Sequence, residues 1–292
     1  MRFIAFLVSP FALLVLLSGC RESSISPEGS VGSQFADTVF ANISPGVTLT
    51  LRGLKDTYSL DDFIQGFLIL KNEGDTSGFY LHFENSPPNN FVIFPVGSLD
   101  WVSFYPEALT FQEWFDTLRI GDSLCYPSAW GQQSWNYKPP VWTSLKAYSG
   151  SYRFLAYLNG NRLLRDMTKF FTITEIGEPL SIWLSVDYSS TDSLKADIIV
   201  RNRISTWVLL ETVDPTPISL SFVHYQDTIL SLSYPLEPPS TNVSPKSDIV
   251  LFRFRFAKGD AVLAPMNGSF DMRVTLRLKG RQLTSSGLRV LQ

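Results

Sequence analysis

Cysteine and histidine are nearly missing from this chain, with two of each among 292 residues. That scarcity excludes a disulfide framework and leaves no His/Cys cluster spaced for a three- or four-ligand metal site. Blocks of Lys or Arg are absent, and the formal charge is −3, so nucleic acid is excluded as a partner. No Gly-rich phosphate loop occurs. Helical periodicity is scarce, and after the first 17 residues no apolar run is long enough to span a bilayer. His82 and His224 each sit inside an apolar strand pattern, which reads as structural rather than catalytic.

What is present begins at the N-terminus. Arg2 precedes an apolar stretch over residues 3–17, and small residues then lead to a cysteine in Leu17-Ser18-Gly19-Cys20. A cation, a short apolar core and small residues make a secretory signal. The stretch is shorter than the ~20 apolar residues of a membrane helix and contains Pro10. The Cys at the cleavage point resembles the bacterial lipobox. That resemblance implies removal of residues 1–19, acylation of the Cys20 thiol, and attachment to the membrane through lipid. Two or three acyl chains anchor stably where one does not. Arg21 stands where Asp would signal inner-membrane retention, which favours the outer membrane and leaves its face open. Cys20 is then consumed, so no second thiol remains for an intrachain disulfide with Cys125, which reads as a small buried hydrophobe in a strand.

Residues 20–40 form a Ser/Gly/Pro-rich tether, too polar to order itself by burial. As a flexible coil, its central ~17 residues reach ~20–25 Å. Beyond it, short β-branched and aromatic runs recur, bounded by Gly, Pro, Asn or Asp. Val47-Thr48-Leu49-Thr50-Leu51, Phe91-Val92-Ile93-Phe94 and Ile182-Trp183-Leu184-Ser185-Val186 are examples. In residues 251–256 and 272–278, Phe or aliphatic side chains alternate with Arg, the period of a half-buried strand. A single helical turn is predicted over residues 110–117, where Phe111, Trp114 and Phe115 share one face. The fold class is all-β, antiparallel sandwiches.

The unit occurs twice. Phe67-Leu68-Ile69-Leu70-Lys71-Asn72 matches Asp197-Ile198-Ile199-Val200-Arg201-Asn202, and Gly150-Ser151-Tyr152 matches Gly268-Ser269-Phe270. Pro-containing turns follow the first motif in each copy, at Pro87-Pro88 and at residues 215–217. Matching pieces in the same order predict tandem sandwiches, 41–177 and 178–292, meeting near Gly177-Glu178-Pro179. The first resembles the BsuPI-type proteinase inhibitor domain over about residues 68–158. The landmarks are Phe83, residues 91–94, Trp101, Leu118-Arg119-Ile120-Gly121-Asp122-Ser123, Trp130 and Gly150-Ser151-Tyr152. That resemblance implies an immunoglobulin-like sandwich. It departs from the family at Ile120, where a Pro is usual, and in a long insert over residues 131–148. Of the landmarks, the second copy keeps Gly268 and Phe270.

Gly121-Asp122-Ser123-Leu124 spells an esterase motif, but the residue three before His224 is Ser221 rather than Asp, and no strand–helix alternation accompanies it. A turn explains Gly121 and Asp122. Asp61-Asp62 reads as a surface turn, and residues 187–192 as a solvated acidic loop rather than a calcium site. Aromatic crowding between Trp101 and Trp142 is the feature beyond structural need. Trp101, Trp114 and Trp130 are expected in the core. Trp135, Tyr137 and Trp142 fall in a polar, Pro-rich insert that reads as a surface loop, where they are the candidate binding residues. The expected function is a non-enzymatic, lipid-anchored envelope protein without a cofactor, binding an envelope protein through loops of the first sandwich. A carbohydrate- or peptidoglycan-binding module and a protease inhibitor are the alternatives.

Overall fold

The computed structural model describes residues 39–44, 46–74, 79–83, 89–98, 102–105, 114–138, 141–158, 167–187, 193–224, 227–257, 270–285 and 288–290. Cys20, its leader, residues 21–38 of the tether and residues 188–192 lie outside these residues; Val39 and Phe40, given to the tether by sequence, open β1 instead, where pairing with Leu51 and Thr50 orders them. Every element among the described residues is a strand. Trp114 opens a strand, where the sequence pattern predicted a helical turn. Pairing of residues 114–118 with residues 79–83 overrides the i, i+3 aromatic spacing.

The first half holds β1 (Val39–Ser44), β2 (Val47–Arg52), β3 (Thr57–Tyr58), β4 (Ile64–Asn72), β5 (Phe79–Phe83), β6 (Asn89–Pro95) and β7 (Ser103–Tyr105). It continues with β8 (Trp114–Leu118), β9 (Ser123–Trp130), β10 (Gln133–Lys138), β11 (Val141–Lys146), β12 (Gly150–Leu158) and β13 (Met167–Ile173). Its sheets run β1-β2-β4-β9 and β3-β13-β12-β6-β7, with β5-β8 and β10-β11 as separate pairs. All these pairs are antiparallel except β3 with β13.

The second half holds β14 (Leu180–Asp187), β15 (Ser193–Asn202), β16 (Val208–Glu211), β17 (Ile218–His224), β18 (Asp227–Tyr234), β19 (Ser240–Val243) and β20 (Asp248–Ala257). Then follow β21 (Phe270–Leu278), β22 (Arg281–Thr284) and β23 (Leu288–Val290). Its order repeats the first. β14-β15-β20 takes the place of β2-β4-β9, β18-β17-β21-β22 that of β7-β6-β12-β13, and β16-β19 that of β5-β8. Among the described residues, four strands of the first half have no counterpart here: β1, on the outer edge of β2, β3, on the outer edge of β13, and the pair β10-β11.

Alternation puts the predicted faces inward. Phe254 and Phe256 are buried while Arg253 and Arg255 are exposed, and Met272, Val274 and Leu276 are buried beside exposed Arg273 and Arg277. Buried apolar side chains gather in two clusters, from residues 47–173 and residues 180–283. The first holds Trp130, Tyr152 and Phe171 in mutual ring contact.

The repeated Lys/Arg-Asn motif has a shared structural cause. Asn72 and Asn202 are both fully buried. Each side-chain carbonyl accepts from the N–H two residues on, Gly74 or Ile204, an Asx turn that stops the strand. Their amides donate across the sandwich to Leu118 O and Val243 O. Asn72 N donates to Asp122 O and Asn202 N to Ser247 O. The turn Leu118-Arg119-Ile120-Gly121-Asp122 therefore corresponds to Val243-Ser244-Pro245-Lys246-Ser247. Gly121 and Lys246 both adopt positive φ, 83° and 45°. Pro245 thus stands in the second half where Ile120 stands in the first, an equivalence hidden from sequence because Lys246 stands where Gly121 does. Gly121-Asp122-Ser123 is a turn between β8 and β9, with Arg119 N donating to Asp122 Oδ2.

Candidate functional site

The residue after each repeated Asn decides what the two halves do to one another. Glu73 follows Asn72 into solvent; Arg203 follows Asn202 into the first half and is fully buried. Its Nε donates to Ala147 O at 2.8 Å, Nη1 to Asp61 Oδ1 at 2.9 Å and Nη2 to Gln132 Oε1 at 3.2 Å. Its backbone bridges the seam too, C=O accepting from Ser149 N, while its N–H donates to Pro179 O within the second half. Ile204 packs against the first apolar cluster.

Gln132, also fully buried, donates through Nε2 to Ser59 O and Asp62 O, at 2.6 and 3.0 Å, and accepts from Asp61 N. Asp61 and Gln132 both take positive φ, 71° and 55°. This strained backbone turns their side chains toward Arg203. Lys146 Nζ closes the set on Asp61. Beside it, Arg201 grips Asp248 through Nε and Nη2 at 2.7 and 2.8 Å, donates to Lys146 O, and lies over the Tyr148 ring. Tyr152 donates its phenol to Tyr148 O at 2.6 Å.

Electrostatics follow from this geometry. Burial raises the Asp61 carboxyl, but Lys146 and Arg203 outweigh it and hold it below the usual carboxylate range. Burial pushes the Arg203 guanidinium down against the pull of Asp61. For Arg201 burial acts in the same direction, and Asp248 overcomes it. Burial drives the Tyr152 phenol up to about 12. Each of these cations and carboxylates has its counter-charge within the protein.

Next to the joint opens a cleft of about 420 Å3. Asp61, Gln133 and Lys146 wall one side; Ser181, Ile182 and Trp183 of β14 and Gln282 and Thr284 of β22 wall the other. Glu178, at its rim, is paired with Arg281 at 3.0 Å. Ser181 Oγ and Trp183 Nε1 are buried in the wall with no hydrogen-bond partner.

The predicted binding residues fall beside this region. The insert is a β-hairpin rather than a loop, with Trp135 opposite Ser144 and Tyr137 opposite Trp142. Its second strand, β11, runs next to β14 and β23 of the other half. The side chains of Trp135, Tyr137 and Trp142 lie outside the described residues. Trp130 is in the core as expected. Cys125 sits in β9, half-buried. Asp61 and Asp62 do form a turn, yet Asp61 belongs to the joint. Asp61, Gln132 and Arg203 are the residues that sequence reasoning missed. The available signal was the unlike residue after each repeated Asn, together with a Gln pair opening the insert. Among the described residues, no group of three or more His, Cys, Asp or Glu could hold a metal ion.

No known family model matches the chain, and no curated protein is significantly similar to it.

Proposed function

We propose that this chain is a lipid-anchored, non-enzymatic envelope protein in which two immunoglobulin-like sandwiches are locked together to present a surface to a protein partner. Support for the sandwich comes from connectivity. The orders β2-β4-β9 and β13-β12-β6, repeated as β14-β15-β20 and β22-β21-β17, match strands A-B-E and G-F-C of an immunoglobulin domain. The Tyr152 phenol bonding back four residues at the start of β12 has the form of a tyrosine corner. The boundary at 177/178 agrees with the division between the two cores.

The observation that carries the binding role is the joint itself. A buried Arg203 held by three parts of the first half fixes the mutual orientation of the two units. Such rigidity lowers the entropy cost of presenting a composite surface. The lipid on Cys20 and the tether place that surface near a membrane.

The test uses the full chain expressed in its native host. Mass spectrometry of the mature N-terminus is expected to find Cys20 acylated and residues 1–19 gone. Cross-linking in the intact envelope is expected to yield a stoichiometric protein complex that Trp135→Ala with Trp142→Ala weakens. A bare thiol with its leader attached would sink the anchor, and the absence of any protein cross-link would sink the partner.

A further inference from the structure

The cleft beside the joint lies between two strand edges that, among the described residues, the first half pairs with a further strand and the second does not. Arg203 N bonds to Pro179 O, so by the alternation of an antiparallel ladder Ser181 and Trp183 turn their backbone groups to β15. Ile182 and Leu184 therefore turn theirs to the outer edge of β14. On β22, Ser285 N bonds to Val274 O, which directs Leu283 to β21 and leaves the backbone of Gln282 and Thr284 facing outward. Ile182, Gln282 and Thr284 all line the cleft. The corresponding edges of β2 and β13 carry β1 and β3.

We propose that this cleft is a strand-acceptor site, binding an extended, largely uncharged polypeptide segment of a partner by addition to the edges of β14 and β22. The occupant is argued from three observations. The same chain fills the equivalent positions with strands. The cleft's charges are already paired, Asp61 with Lys146 and Arg203, and Glu178 with Arg281, so a charged ligand gains little. Ser181, 8% exposed, and Trp183 hold donors without partners in the wall, which a peptide carbonyl satisfies. Backbone pairing supplies affinity in such sites, and alternate side chains supply selectivity. The inference rests on the protein-partner reading and names where and how that partner docks.

The experiment pans a displayed library of random dodecapeptides against the full-length protein and follows amide hydrogen exchange. Selected peptides are expected to slow exchange at Ile182, Gln282 and Thr284. Gln282→Pro and Thr284→Pro remove outward N–H groups without touching the pairing to β21, and each is expected to weaken binding roughly ten-fold. Copies of the peptide N-methylated at alternate residues test the same bonds without altering the protein. Alternate N–H groups of a segment held between the two edges face β14 and β22 in turn, so each methylation phase is expected to weaken binding. Undiminished binding by either phase, protection elsewhere, or no selected peptide overturns the proposal. So does protection of these amides by peptidoglycan oligosaccharides or by a second copy of the chain in place of peptide. If the envelope cross-link survives while these amides stay unprotected, the protein-partner reading stands and this site falls.

Discussion

Arg203 is the most consequential side chain in the molecule, because its charge is buried and its partners come from the other half of the chain. Replacing it with Ala strands Ala147 O and part of the Asp61 charge, and leaves Gln132 Oε1 with the Asp61 N–H as its donor. The expected cost is ~3–5 kcal/mol in denaturant unfolding, and Lys, lacking the planar fork, is expected to recover little of it. Asp61 makes the joint acid-sensitive. Its pKa is lower folded than unfolded, so its stabilisation is full above the ordinary 3.8 and drains away as pH falls through the depressed folded value. Asp61→Asn is expected to remove that slope from the acid limb of the stability profile. Tyr152 acts at the other end. Its phenol ionises near 10.0 when unfolded and at about 12 when folded, so its contribution is whole below 10.0 and is lost as pH rises toward 12. Tyr152→Phe should flatten the alkaline limb, where the gap corresponds to ~3 kcal/mol.

At the scale of elements, strand ends matter more than strand interiors. Asn72→Ala and Asn202→Ala each remove an Asx turn and a cross-sandwich bond from a fully buried site. Each is expected to cost ~1–3 kcal/mol, measured by thermal unfolding. Gly177, between β13 and β14, holds φ at 120°, and a Cβ there would sit 2.9 Å from Leu60 O. Gly177→Ala is therefore expected to destabilise by ~1–2 kcal/mol or more, from backbone strain with the clash added. The strands themselves were legible in advance. The runs in β2, β4, β6, β12 and β14 show as short β-branched or aromatic stretches, and β20 and β21 by clean alternation. The insert reads as a loop from its polar, Pro-rich composition, although Trp135-Asn136-Tyr137-Lys138 alternates aromatic with polar residues as a strand does. It pairs as β10 with β11, and tertiary contact with β14 and β23 overrides its loop-like composition.

Across the whole molecule, two apolar cores are coupled by one polar joint. In calorimetry the wild-type protein is expected to unfold in a single coupled transition. Arg203→Ala combined with Asp61→Ala is expected to separate it into two, and a single transition in that variant would show that the remaining contacts across the seam suffice to couple the halves.

Sequence by itself determined the all-β class, the strand positions and the repeated Asn motif, because period-2 burial and turn chemistry are local properties written within a few residues. Tertiary structure alone decided that Arg203 crosses the seam to Asp61 and Gln132, and that the edges of β14 and β22, which pair with no further strand among the described residues, border a cleft. Those outcomes depend on residues up to 142 positions apart meeting at a distance of a few ångströms. No local pattern encodes such a meeting; it exists only once two packed cores hold both ends still.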